Sequence, residues 1–381
     1  MTEEVKHCVR CILPANYPGV TFDSEGVCSY CRMFEQRWKN WGETNREPEF
    51  LEIMRRARKG NSNYDALVGI SGGKDSCYTL HAMVKKYNFK VLAYTFDNMF
   101  FSDGAKDNIA KMVSRLGVEH RYITTGHELD KRLYHSLFKK RCADICMICA
   151  NGALSATINL ALSERVYTIV WGLSPRTEPI LPFEMLNAYD FRFLVDVARP
   201  DLTVADLHPY RHCSLARASY ATFLQKVRFV FLPEYIEWPG KEIAEFLERE
   251  YDWVDYGRGA PHFDCAVNPA TNYFMNQRLG ASKVVEKVST MIRCGQLTRD
   301  EALAKEKEQD TVEEPVAAVD ELCRRLDVTR NDLKPYLEGN TVDYRSFKNT
   351  VGMLRRLSPA FWLMYKLGLT SESLYQKYRI R

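Results

Sequence analysis

Long hydrophobic runs are missing from this 381-residue sequence: no apolar stretch approaches the roughly 20 residues that a membrane span needs. The opening, Met1-Thr2-Glu3-Glu4-Val5-Lys6, lacks the charged-then-apolar layout of a secretory signal, so a cytoplasmic protein is expected. Charge of one sign is scarce too. A net charge of +4 suits a small anionic ligand such as a nucleotide or nucleotide-sugar, and is too weak to point to nucleic acid. There is no internal repeat and no low-complexity tract, which excludes solenoids and long disorder.

Cysteine, by contrast, is plentiful. In a reducing compartment the twelve cysteines read as metal ligands or catalytic groups before they read as disulfides. The length predicts two or three folded units.

Hydrophobic patterning divides the chain into a turn-rich cysteine segment (1–42), a charged linker helix (43–63), a strand–helix alternation (64–232), a helical region (233–305) and a helical tail (306–381). Short apolar runs at 66–70, 91–96, 120–123 and 166–171 read as strands, with a further one at 227–232. Helical patterns fall at 76–87, 106–116, 154–163 and 239–251. Strands alternating with helices predict an α/β fold, a doubly wound parallel sheet covered on both faces.

Ser71-Gly72-Gly73-Lys74-Asp75-Ser76 sits where the first strand gives way to a helix. Glycines there allow a tight turn, and the helix N-terminus presents N–H groups to phosphate oxygens. Lys74 adds a full charge; Ser71 and Ser76 add hydroxyls. The spacing is not that of a Walker A loop, because Val68 and Asp75 stand where that motif needs glycine and Ser/Thr. Ligands of such sheets bind beyond the carboxyl ends of strands, so Thr95, Asp97 and Gly172 are expected to frame the ligand.

Two cysteine groups stand out. Cys8-x-x-Cys11 and Cys28-x-x-Cys31 have the spacing of a structural zinc ribbon, in a segment too short to own a core. Cys142, Cys146 and Cys149 form a C-x3-C-x2-C group whose thiolates can hold a [4Fe–4S] cluster with one open iron, or can simply be buried at a helix start. Cys77, Cys294 and Cys323 read as packing residues. His262, Asp264 and Cys265 are either a ligating group or a solvated loop.

The string Ser71–Ser76 resembles the Ser-Gly-Gly-x-Asp-Ser signature of the PP-loop (ATP pyrophosphatase) superfamily, whose fold is adenine nucleotide alpha hydrolase-like. The resemblance implies that ATP is split to AMP and pyrophosphate, that Ser71 to Ser76 cradle the pyrophosphate, and that Asp75 helps hold Mg²⁺. Cys8-Val9-Arg10-Cys11-Ile12-Leu13-Pro14 through Cys31, Tyr235-Ile236-Glu237-Trp238, Glu250-Tyr251-Asp252-Trp253, Gly280-Ala281-Ser282-Lys283 and Cys294 to Ala302 resemble the N-acetyl sugar amidotransferases of bacterial surface-polysaccharide biosynthesis. That likeness covers patches of residues 7–305. It implies conversion of an acetamido group to an acetamidino group, with ammonia from a separate glutaminase.

The chain carries no Met-Cys start and no Gly-x-Cys-x-Gly elbow, so nitrogen is expected from a partner or from free ammonia. The alternative is sulfur transfer. PP-loop enzymes that thiolate tRNA carry a Cys-x-x-Cys matched by Cys146 and Cys149, with Cys142, Cys213 or Cys265 as third ligand. Lys139-Lys140-Arg141 and the basic tail (Arg355, Arg356, Lys377, Arg379, Arg381) then meet RNA; otherwise the tail is a packing or dimerisation appendage. A module that only senses ATP has little use for both Lys74 and Asp75.

Overall fold

The computed structural model describes residues 6–38, 46–58, 62–142, 144–174, 176–178, 190–257, 262–280, 283–309 and 313–366. The expected tail residues Lys377, Arg379 and Arg381, and Ala281-Ser282, lie outside them.

Strands β1 (Ala66–Gly69), β2 (Val91–Phe96), β3 (Glu119–Ile123), β4 (Thr168–Trp171) and β5 (Arg228–Phe231) form one parallel sheet in the order β3-β2-β1-β4-β5. Alternation explains why the central strands read as unbroken apolar runs. Ala66, Val68, Val91, Ala93, Val170 and Val230 pack on one side with helices α2 (Glu47–Ala57), α3 (Lys74–His81), α4 (Asp103–Leu116) and α9 (Gly240–Tyr251). Leu67, Leu92, Tyr94 and Ile169 pack on the other with α6 (Cys146–Glu164) and α8 (Leu215–Phe223). A sheet buried on both faces has no polar side to show. β3, at the edge, carries Glu119 and Arg121 and leaves Tyr122 exposed, as befits an unpaired border.

The chain builds outward from β1 through β2 to β3, then returns to place β4 beside β1. The loops after β1 and β4 therefore diverge, and the crevice between them is where such sheets bind ligands.

By length and composition alone α6 could cross a membrane, which corrects the expectation that no stretch approaches that length; 56% of its most apolar window is buried inside the protein. It lies under the sheet and against the short turn His208–Cys213. The helix is twice the length expected from the sequence, and α5 (His127–Lys140) precedes it where no helix was expected. The helix expected over 76–87 is α3 followed by a π-helical turn, Ala82–Lys86.

The remaining helices are shared among cores instead of standing alone. Ribbon residues Cys8 to Cys31 form one core with α11 (Lys283–Arg293) and α12 (Arg299–Gln309). α7 (Phe191–Ala198), α10 (Asn268–Leu279), α13 (Val316–Leu326) and α14 (Arg330–Glu338) join α5 in another. Segment 233–305 is thus split three ways: α9 onto the sheet, α11 onto the ribbon and α10 onto the tail helices.

Candidate functional site

The turn between β1 and α3 is fixed by its own residues. Gly72 has φ +82°, and a Cβ there would lie 2.4 Å from the Ala105 carbonyl oxygen. Only glycine meets both conditions. Ser76 Oγ accepts from Ser71 N at 3.1 Å and donates to Gly73 O at 2.9 Å, closing the turn. The Gly72 carbonyl is bound from behind by Trp253 Nε1 (2.9 Å) and Asn108 Nδ2 (3.2 Å). Anchored in this way, the first turn of α3 leaves its N–H groups without intrahelical partners, facing a cleft of about 2040 Å³ that Ser71, Gly73, Lys74, Asp75 and Ser76 line.

Lys74 Nζ and Trp238 Nε1 both donate to Asp75 Oδ1, at 2.5 and 2.7 Å. A cation, a carboxylate and free helix N–H groups thus converge on one point of the crevice. Gly240 passes Lys74 so closely that an added Cβ would stand 3.4 Å from Nζ.

Of the residues expected around the ligand, Gly172 lies in the cleft wall, and a Cβ on it would come 2.4 Å from the Asp75 carbonyl oxygen. Thr95 is buried, its hydroxyl donating to Ile70 O at 2.6 Å, and Asp97 pairs with His127 at 3.2 Å; neither faces the cleft. Their neighbours do. Tyr94, Phe96, Asn98 and Trp171 line it, with the Trp171 indole donating to Tyr94 Oη at 2.5 Å.

The cleft is also lined by Lys287 and Met291 of α11, by Cys294 just past its end, and by Arg176. Cys294, expected as a core residue, is half-buried here with its thiol directed at Arg176 O, 3.5 Å away. His262, Phe263 and Asp264 line the cleft as well.

The four ribbon cysteines are buried with all their sulfurs within 4.8 Å of one another; Cys8–Cys31 and Cys11–Cys28 are 3.9 and 3.6 Å apart. Zinc–sulfur bonds of about 2.3 Å in a tetrahedron place sulfurs about 3.8 Å apart, so the set fits Zn²⁺. Backbone N–H groups of Arg10, Leu13, Cys28 and Cys31 point at three of the sulfurs, the shell that a thiolate centre requires. Hydrogen bonds to Cys11 push Cys8 and Cys31 up to about 12, while Cys11 itself is lowered to about 6.

Cys142, Cys146 and Cys149 do not assemble in this way. Among the described residues, the ribbon supplies the one set with ligand atoms at single-ion spacing. Cys142 is buried beside Arg278 and Lys140, which lower its pKa against a burial effect that pushes it up to about 12. Cys146 and Cys149 lie on the first turn of α6, and Cys265, on a different segment, is near enough for their charges to add to the burial that raises its own pKa. Cys149 reaches the cleft and accepts from Asn98 Nδ2 at 3.3 Å; Lys283 Nζ stands 3.4 Å from Cys146 Sγ. Burial pushes Cys149 up to about 12 and raises Cys146, so neither is a ready nucleophile. Cys213 bonds to Asn151 O at 3.0 Å, inside the packing of α6.

Residues 243–358 match the family described as "LPS biosynthesis protein WbpG-like, C-terminal domain". The match starts in α9 and takes in α10 to α14, so it includes the cleft wall on α11 and the helical block after residue 305 that had been expected to fall outside the resemblance. It does not include the Ser71–Ser76 turn. The "Uncharacterized protein MJ1599" of Methanocaldococcus jannaschii is 21% identical over 309 residues, covering 80% of this chain and 93% of that protein.

Proposed function

We propose that this chain is a cytoplasmic, ATP-dependent amidotransferase that acts on an N-acetyl sugar during polysaccharide biosynthesis. The amide oxygen attacks the α-phosphorus of ATP and pyrophosphate leaves. Ammonia then adds to the carbon that bears the adenylated oxygen, the C–O bond breaks as AMP departs with that oxygen, and loss of a proton leaves an amidine.

The observation that carries this reading is the placement of Ser71–Ser76 at the β1/β4 crevice, in the same large cleft as α11 of the polysaccharide-biosynthesis-like region. Lys74 neutralises charge that develops on the departing pyrophosphate, and the α3 N–H groups bind its oxygens. Asp75, oriented by Trp238, is the carboxylate suited to Mg²⁺, which when bound draws charge from the phosphates. Tyr94, Phe96 and Trp171 offer aromatic surface for the base, and the α11 wall faces the acceptor. In this reading ammonia comes from a separate glutaminase or from solution.

A second reading rests on Cys149 in the cleft wall with Cys146 and Cys265 near it: sulfur transfer through an iron–sulfur cluster. Iron and zinc analysis of anaerobically purified protein separates the two. Zinc alone, with AMP formation lost in Lys74→Ala, supports nitrogen transfer. About four irons per chain, lost in Cys146→Ala, supports sulfur. Full AMP formation by Lys74→Ala contradicts both.

A further inference from the structure

We infer that Arg293, held by Glu286, is the charge partner of the ribbon's metal centre, and that this link makes the α11 wall of the cleft depend on the metal.

Four thiolates around Zn²⁺ carry a net charge of −2, and a buried charge is costly unless something opposite in sign lies beside it. Arg293 is the cation in position. Its side chain is 3% exposed, and Nη2 points at Cys11 Sγ from 3.7 Å. Nη1 bonds to Glu286 Oε1 at 3.0 Å and to Thr290 Oγ1 at 2.9 Å, while Nε is buried without a hydrogen-bond partner. Glu286 is fully buried, and Thr290, one turn further on, donates to both of its carboxylate oxygens at 3.2 and 3.1 Å.

Glu286 and Arg293 therefore form a neutral pair on one helix, with the guanidinium in place between carboxylate and sulfur. No side chain has to be recruited.

The same helix has two jobs. Val285 packs in the ribbon core, and Ser289 Oγ accepts from Ile12 N at 3.4 Å. Lys287, Met291 and Cys294 line the cleft. Arg299, at the start of α12, donates to the carbonyls of both Cys8 and Cys11, 2.8 Å to the former. The Cys8–Cys11 knuckle thus binds arginines at either end of the α11–α12 turn. Losing the metal frees the knuckle, and with it the outer support of the cleft wall. This inference rests on the fit of the four sulfurs to zinc and not on the reaction proposed above.

The test is zinc release to a chromogenic chelator, with backbone amide exchange of residues 283–293 read by mass spectrometry. Arg293→Met should release zinc at least tenfold faster than the wild type, and Arg293→Lys should fall between the two. Removing zinc from the wild-type chain should raise exchange in 283–293 while leaving 66–69 and 91–96 protected. If Arg293→Met does not fold, Arg293→Gln, which keeps a hydrogen-bond donor and drops the charge, should still speed release. Release within twofold of wild type in the variants, or unchanged protection of 283–293 after zinc removal, would overturn the proposal.

Discussion

Trp238 Nε1 donates to Asp75 Oδ1 at 2.7 Å, joining residues 163 positions apart beside the Ser71–Ser76 turn. The carboxylate also takes the Lys74 ammonium, so its direction is set from two sides. Trp238→Phe keeps the ring contact with Tyr78, now edge-on at 5.1 Å, and deletes only the N–H. A hydrogen bond to a charged group is worth about 1.5–3 kcal/mol, so AMP formation should fall by about tenfold or more with zinc content and melting temperature retained. Unchanged turnover would show that Asp75 needs no such orientation.

Two glycines separate steric from conformational need. Gly172→Ala sets a Cβ against the backbone and side chain of α3, at 2.4 Å from Asp75 O and 2.5 Å from Thr79 Oγ1. The clash should cost about 1–3 kcal/mol and lower ATP affinity, because the loop after β4 and the helix carrying Lys74 are driven apart. Gly117→Ala meets nothing within 4 Å but sits at φ +63°, so it should cost only about 1 kcal/mol and leave ATP binding alone. Thermal melts and ATP titrations of both variants check the contrast.

His212 supplies a pH dependence. Burial, helped by Arg211, Arg217 and His208, lowers it from 6.5 to about 4. Between those values the unfolded chain takes up a proton that the native chain refuses, so stability falls as pH drops from 6.5 toward 4 and is unaffected above 6.5. The loss is at most about 3 kcal/mol. Denaturant melts of wild type and His212→Phe should show the wild type alone losing stability across that window; parallel curves would mean that the imidazole titrates normally.

The sheet and the loop were legible in the sequence for local reasons. Apolar runs such as Val91–Phe96 are the mark of strands buried on both faces, and Ser71–Ser76 carries its turn, charge and hydroxyls within six residues. The four-cysteine cluster was legible because its members come in pairs. Thr95 was misplaced by reading proximity instead of alternation: along β2, Tyr94 and Phe96 share a face and Thr95 points to the other, onto His120. Residues from distant segments were the least visible. Nothing local to Trp253 announces a bond to Gly72, and nothing in α11 marks Arg293 as a neighbour of Cys11, 282 positions away. Cys294 read as packing because exposure on a cleft wall leaves no pattern in one strand of sequence.

The fate of the ATP phosphates is the most direct test of the central claim. ³¹P NMR of the purified chain with ATP, Mg²⁺, ammonium and a panel of N-acetyl sugar nucleotides should show AMP and pyrophosphate appearing in equal amounts, dependent on the sugar and absent in Lys74→Ala. ADP and inorganic phosphate as the products, or AMP formed equally well by Lys74→Ala, would contradict it.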